Sequence, residues 1–413
     1  MKIRYIILSL LFSYSIIFAQ GQAAVPFLLN EQSPLFYGAG EIGTAVPMHD
    51  PIGFYYNPAQ LGYYSRNNNL SVFFMPDKTT LFNQFNYDVT SNSFGFALGY
   101  NFKSNGSNIP LSIGAGFLHN RIDYSQLFVS MGPTPNTTLN SYNSFDCYSF
   151  GASYDYYVLF NFGFSLKSFS STLSLIPTAE SPYGNLKATG TAFDFGAMVI
   201  APFDDLFLKN TEIKIENGFF KPILKSTLGY SISNIGKKIY YVDAAQSDPI
   251  PRTARLGYSI NLGLKTKIAG VELPVIDYSF TAEVEDLLVN SDTLGNSSYQ
   301  GLFGDINIGN NLILLNGDKN VIIHKGHIFN FFKTLTIVKG GISSGNLLNV
   351  TTNGWAVSSE GLFSILVNNI SNTALSYLFR HFDFEYYHSS ISAGPYLNPK
   401  PSGFAVYFKG IDL

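Results

Sequence analysis

What this chain has little of narrows it first. One of its 413 residues is cysteine, Cys147, so no intrachain disulfide can staple it. One is tryptophan, and 13% are charged, which is about half of the roughly 25% usual in soluble domains. A formal net charge of −3 leaves no basic surface for nucleic acid. After residue 20 no uncharged stretch approaches the roughly 18–20 apolar residues of a spanning helix, which excludes helical membrane proteins. A G-x-S-x-G elbow is missing as well, and no Ser/His/Asp set can be placed, so enzyme chemistry is not expected.

Aromatic residues are abundant, 16% in all, with 37 Phe and 27 Tyr. The chain opens with the basic run Met1-Lys2-Ile3-Arg4. An apolar core covers Tyr5 to Phe18, then a cleavage point comes after Ala19, ahead of Gln20. This is the layout of a cleaved secretory signal over residues 1–19. No Cys near that point offers a lipid anchor.

Seven segments beyond residue 69 alternate with period two, the mark of strands with two unlike faces. Phe94, Phe96, Leu98 and Tyr100 oppose Ser93, Gly95, Ala97 and Gly99. Leu111, Ile113, Ala115 and Phe117 oppose Ser112, Gly114 and Gly116, and Tyr148, Phe150, Ala152 and Tyr154 oppose Ser149, Gly151 and Ser153. The pattern recurs at 160–167, 228–233, 256–265 and 276–283. A soluble sandwich would put Lys, Glu and Thr on its wet face. Here the minor row is Gly, Ser and Ala, while the continuous row of Phe, Tyr, Leu and Ile suits lipid. Closure into a barrel removes the edges that such a sheet would expose.

Ser33 to Tyr64 differs from all of this. It is dense in Gly, Pro, Asn and aromatic residues, and Pro47, Pro51 and Pro58 break any ladder. Packing from outside must order it, so residues 20–68 are expected to form a plug inside a barrel built by residues 69–413. Gly38, Gly40 and Gly43 spell G-x-G-x-x-G, but no strand–helix unit surrounds them. Close backbone approach is the better account of these glycines. Asp50, Pro51, Asn57, Pro58 and Ala59 are the other plug residues singled out, with Asp50 and Asn57 expected to close the plug's own turns.

About 340 residues lie beyond Asn69, room for roughly 12–16 tilted strands. The last of them, Gly403 to Ile411, is placed to close on the first. Asn105-Gly106, Asn217-Gly218, Asn316-Gly317 and Asn353-Gly354 read as hairpin turns. Pro133–Ser144, Asn290–Gln300 and Ser392–Ser402 read as loops, and from Gly301 to Asn349 the alternation is poor. Of the histidines, His324 and His327 have helical ligand spacing in a strand-like region. His381, Asp383 and Glu385 share one strand face, with His388 on the other. Neither set has enough matching ligands, so no metal or cofactor is expected. Asp277, Glu283 and Glu285 are expected to face the lumen.

These residues resemble a known family. Asp50-Pro51 with Gly53 to Gly62, GFYYNPAQLG, resembles the "D…YxNPA-x-L" element of FadL-like outer-membrane proteins. The preceding glycine cluster is similar to that of the PorV/PorQ branch. So are Phe193 to Ala197 ("FDxGA"), Leu228 to Gly236 ("LGxSxxNxG") and Asp248 to Tyr258 ("PLPxxxRLG"). The resemblance covers about residues 24–290. It implies an all-β transmembrane antiparallel barrel of about fourteen strands in the outer membrane, with the N-terminal segment in its lumen. It also implies a part in type IX protein secretion, as a shuttle or attachment factor. The partners would then be exported cargo proteins with a C-terminal sorting domain and subunits of the translocon. The alternative is a FadL-like transporter of hydrophobic small molecules, with a lipophilic ligand in the lumen and outer-membrane lipid around the wall.

Overall fold

The computed structural model describes residues 23–67, 69–75, 79–84, 87–124, 127–129, 137–174, 185–216, 218–291, 297–345, 348–367, 369–392 and 398–410. The expected signal segment lies outside these residues.

Fifteen long strands carry the fold: β1 (Asn69–Phe74), β2 (Thr79–Gln84), β3 (Tyr87–Asn101), β4 (Leu111–Tyr124), β5 (Tyr142–Asp155), β6 (Leu159–Ser174), β7 (Asn185–Pro202), β8 (Gly218–Gly236), β9 (Thr253–Ile268), β10 (Val271–Leu287), β11 (Val321–Phe331), β12 (Leu335–Ser344), β13 (Leu348–Ser358), β14 (Phe382–Ser392) and β15 (Ser402–Lys409). Each pairs antiparallel with its sequence neighbour from β3 round to β15. The ring shuts where β1 pairs with β15 (Asn69↔Lys409 to Phe74↔Phe404) and with β3 (Leu70↔Leu98 to Phe74↔Phe94). Fourteen strands form the closed ring. β2 is the extra one and pairs with the far part of β3.

The two faces separate as the alternation requires. Phe94, Phe96, Phe150, Phe162, Phe164, Phe195, Leu228 and Ile260 point outward and are exposed. Ser93, Ala97, Asn120, Ser149, Ser165, Thr227, Ser231 and Thr281 point inward and are buried. No helix among the described residues is long and apolar enough to cross a membrane. The crossing is made by strands whose polar backbone groups pair round the ring, as a bilayer demands.

The segment from Ala23 to Asn67 fills the inside. It folds as two short helices, α1 (Pro34–Gly38) and α2 (Ala59–Tyr64), and three single 3₁₀ turns. Ser33 caps α1 by accepting from the Phe36 N–H (3.4 Å), and Pro34 sits at its first turn. Phe36, Ile42, Ile52, Phe54, Leu61 and Tyr64 are buried there with wall residues Phe73, Leu118, Phe145 and Phe169.

Some expectations need correcting. Asn353-Gly354 is not a turn. It lies mid-strand in β13, where Gly354 packs beside Val338 and Ser389. Asn105-Gly106 does turn between β3 and β4, with Gly106 at φ 86°. The loop expected over Pro133–Ser144 includes a short strand, Thr137–Leu139, and the first residues of β5. That over Asn290–Gln300 holds the hairpin Val289–Ser291 with Ser297–Tyr299. Ala282, expected on the lipid face, has the outward parity but is fully buried, as is Val284 beside it. Residues 301–316 fold back over the outside of the wall at this point, which is why no barrel alternation was readable there.

Candidate functional site

The wall meets the plug through missing side chains. A Cβ on Gly114 would stand 2.9 Å from the Leu61 carbonyl, and one on Gly151 would stand 2.5 Å from the Gly62 nitrogen. Gly163 faces Pro58, Gly229 faces Thr44 and Gly340 faces Gly40 in the same way. These contacts run from β4 through β12, so the plug's backbone lies directly on the sheet over much of the circumference.

The plug residues singled out in the sequence fall into two groups. Gly38 lies against Val338, Asn353 and Ser389, Gly40 (φ 87°) against the Lys325 carbonyl, and Gly43 against the Tyr56 ring. Asp50 is buried between the Ser33 hydroxyl and the Ile52 N–H, which donates at 2.9 Å, and Pro51 is buried beside it. Burial pushes the Asp50 carboxyl up to about 6 against the help of those donors. Asn57 is fully buried. Its Oδ1 accepts from the Ala59 N–H (3.0 Å), while its Nδ2 donates to the Thr44 carbonyl (2.7 Å) and reaches Ala197 and Tyr230 on the wall (3.4 and 3.5 Å). Pro58 precedes α2, and Ala59 packs on Leu159, Met198 and Ile200.

Charge does the rest of the holding, through residues that sequence reasoning missed or left as generic lumen polarity. The Glu283 carboxylate on β10 accepts backbone N–H groups from three successive plug residues: Gly43 (3.1 Å), Thr44 (2.8 Å) and Ala45 (2.8 Å). Next to it, Arg255 on β9 pairs with Glu285 (2.5 Å) and with plug residue Glu31 (2.9 Å), and donates to the Glu41 carbonyl (2.9 Å). Glu285 also faces His324 Nε2 (3.2 Å), whose Nδ1 lies 2.9 Å from the Gly40 carbonyl. One guanidinium thus serves two carboxylates. Burial, opposed by Arg255, raises the Glu31 carboxyl to about 8, and burial also raises Glu41. His49, half-buried against Tyr63 and Tyr64, is pushed down to about 4 by desolvation.

A second cluster ties together segments far apart in sequence. Lys167 on β6 and Asp194 on β7 form a fully buried ion pair (2.8 Å). Lys167 donates to Asn234 Oδ1 (3.0 Å) and lies 4.3 Å from the centre of the Tyr55 ring of the plug. Asn234, at φ 58°, donates its N–H to Asp194 (2.7 Å) and its side-chain amide to the Pro251 carbonyl (3.0 Å). Asp194, Asn234, Pro251 and Arg255 come from three separate motif segments, and the register brings them to one side of the plug. The signal was there to read: ionisable residues at inward parity in a chain with so few of them.

The histidines disperse. His324 points in, while His327 points out beside Tyr278 (2.9 Å), because positions three apart on a strand take opposite faces. His381 ends a helix at the Lys409 carbonyl, and His388 lies outside against Trp355. Asp383 is buried beside Lys409, and Glu385 accepts from Tyr387 and Tyr407. Among the described residues, no group of three or more His, Cys, Asp or Glu is placed to hold a metal ion.

Outside the wall, behind α2, lies an apolar groove of about 820 Å³. Leu98, Ile113, Phe150, Phe162, Phe164 and Phe195 flank it, and the outward Ala115 and Ala152 leave it open. Gly114, Gly151 and Gly163 line its floor, the same glycines that touch Leu61, Gly62 and Pro58 inside. One thickness of backbone separates plug from groove. The chain is a plugged membrane barrel.

No family model and no curated protein matches the sequence. Among solved structures the chain is similar to the toluene transporter TbuX of Ralstonia pickettii, at 11% identity over 93% of this chain and 100% of that one, with a TM-score of 0.45. It is also similar to the toluene transporter TodX of Pseudomonas putida (9% identity, 92% and 98% covered, TM-score 0.42) and to the CymD monoaromatic hydrocarbon channel (9%, 91% and 97%, 0.41). Likeness at this level carries nothing about substrate.

Proposed function

We propose that this protein is an outer-membrane channel for small hydrophobic molecules, and that the segment 23–67 is its gate. The carrying observation is the groove. Its lining is almost wholly apolar, its volume lies within the roughly 300–1,000 Å³ of small-molecule sites, and it opens to the bilayer face directly behind the plug. In this reading the plug shifts away from the wall, and the lipophile leaves the ring sideways into the membrane. Gly38, Gly40, Gly43, Asp50, Pro51, Asn57, Pro58 and Ala59 shape the plug and hold it until that shift. No step makes or breaks a covalent bond.

The test is reconstitution in liposomes, with toluene as the hydrophobic probe and a small sugar as the polar one. Asn57→Ala combined with Pro58→Ala loosens the plug and raises permeability to both. Ala115→Trp with Ala152→Trp fills the groove and slows toluene alone. Toluene entry that ignores the filled groove overturns the reading.

The protein-shuttle role implied by the motif resemblance ranks second, because it rests on the order of those motifs in the sequence. Gentle extraction from native outer membrane separates the two. Secreted proteins sharing a C-terminal domain would favour the shuttle, and a stoichiometric lipophile without a protein partner would favour the channel.

A further inference from the structure

Residues 301–316 form an unusual surface. They leave the ring after β10 and fold back over the outer face of β8 to β11. Ile306, Leu312 and Leu315 pack there against Val284, Val321, Ile323, Leu256 and Ile232. Phe303 packs on Tyr230 with ring centres 5.1 Å apart, and the Tyr230 hydroxyl donates to the Leu302 carbonyl (2.7 Å). The side turned away from the wall exposes large apolar side chains as well, beside Asn307, Asn310 and Asn316. Leu302 is 63% exposed, Phe303 55%, Ile308 56%, Ile313 67% and Leu314 66%. Ile306 to Gly317 contains no charged residue.

From Asn307 to Asn316 several polar groups turn back on the segment itself, while Asp305 before them is exposed and accepts from Asn320 Nδ2 (2.6 Å). Residues Ile308–Ile313 make a single π-helical turn, with the Leu314 N–H donating to the Gly309 carbonyl (3.1 Å). Asn307 Oδ1 accepts the Asn310 N–H (3.0 Å), Asn311 Oδ1 accepts the Asn307 N–H (2.7 Å), and Asn311 Nδ2 donates to the Asn316 carbonyl (2.8 Å). The Asn316 N–H donates to the Asn310 carbonyl (3.1 Å). A loop built for water would spend these amides on solvent. One built for hydrocarbon must satisfy them internally while presenting apolar side chains outward.

The position agrees. Tyr230, under Phe303, is one rung from Leu228, which is 61% exposed on the bare lipid-facing wall. Two residues of strand are about 7 Å, so the exposed apolar edge of the segment continues the lipid-facing row.

We infer that residues 306–315 are a wedge inserted among the acyl chains of the membrane leaflet on that side of the barrel, with the exposed Asp305 carboxylate at its polar edge. Its partner is lipid hydrocarbon, and the wedge widens the barrel's apolar girth over β8 to β11.

Fluorescence quenching tests this. In a Trp355→Phe background, which removes the chain's one tryptophan, Ile313→Trp and Leu314→Trp each place a reporter on the outer side of the wedge. Leu228→Trp supplies a reference on the bare wall. All are reconstituted in phosphatidylcholine vesicles with or without bromine on the acyl chains. The wedge reporters are expected to lose fluorescence to the brominated lipid as the reference does, and to resist iodide. Quenching by iodide with none by bromolipid places the wedge in water and overturns the inference. Resistance to both places it under another protein surface, which overturns it as well. These exposed positions carry no packing that a larger side chain would break. A variant that still fails to insert is replaced by Ile308→Trp, read in the same way.

Discussion

Removing the carboxylate at Glu283 should free the centre of the plug. Gly43, Thr44 and Ala45 present three consecutive backbone N–H groups to that one side chain, at 3.1, 2.8 and 2.8 Å. A hydrogen bond to a charged group contributes about 1.5–3 kcal/mol, and a buried donor left without a partner costs about 1–3 kcal/mol. In Glu283→Ala three donors lose their acceptor together, and water entering the vacated space restores part of the loss. The net weakening of plug docking is about 3–5 kcal/mol. At about 1.4 kcal/mol per factor of ten, hydrogen exchange of the Thr44 and Ala45 amides accelerates on the order of a hundredfold to several thousandfold. Glu283→Gln keeps one acceptor oxygen but turns an NH₂ group toward a donor, and should lose about 1–2 kcal/mol. Exchange is monitored by mass spectrometry on detergent-purified protein, with circular dichroism confirming an intact barrel. Wild-type protection of Thr44 and Ala45 in a folded Glu283→Ala barrel would refute the idea that this carboxylate holds the plug.

Three further outcomes are expected. Phe96→Lys puts a charge on the lipid face and should destabilise by about 2–4 kcal/mol if the position is near mid-bilayer; refolding into lipid with no measurable change would show that the facing is wrong. Lys167→Met strands the Asp194 carboxylate, which is fully buried. The cost should be about 3–5 kcal/mol, and Lys167→Met with Asp194→Leu should recover much of it; a double variant as unstable as the single one would mean packing, not charge, was lost. Docking should also weaken as pH rises from about 4.5 to about 8. The Glu31 carboxyl is raised from 4.5 to about 8, so the docked plug holds a proton that the free plug releases, and this contribution is lost as pH rises through about 8. Asp50, raised to about 6, acts in the same direction at lower pH. His49, lowered from 6.5 to about 4, acts oppositely and only below 6.5. Plug-amide protection corrected for intrinsic exchange should therefore fall between pH 6.5 and about 8 and level off above that, and Glu31→Gln should flatten the fall; an unchanged slope in that variant removes Glu31 as the cause.

Legibility in the sequence tracked physics region by region. Rows such as Phe94, Phe96 and Leu98 against Ser93, Gly95 and Ala97 could be read because lipid and lumen impose opposite chemistry on alternate residues. The plug's place could be read from its prolines and glycines, though its two short helices could not, since neither is long enough to show a period. The site itself was only half visible. Asp50 and Asn57 stood out by motif. Glu283, Arg255, Glu31 and Lys167 come together only through a register that links β6 to β10 across the plug. Residues 301–316 escaped because they pack on the wall from outside, so no two-face rule applies to them. Asn353-Gly354 misled because a glycine that makes room for neighbouring strands within the wall looks the same in sequence as one that makes a turn.

The glycines shared by plug and wall bear on how the molecule is built. The plug comes before every strand of the ring in the chain, yet it ends up enclosed by all of them. The bare backbones of Gly114, Gly151, Gly163, Gly229 and Gly340 are where ring and plug meet most closely. Ring and plug are cut to one another: a side chain larger than hydrogen at any of these five positions would meet plug backbone at under 3 Å and force one of the two to shift.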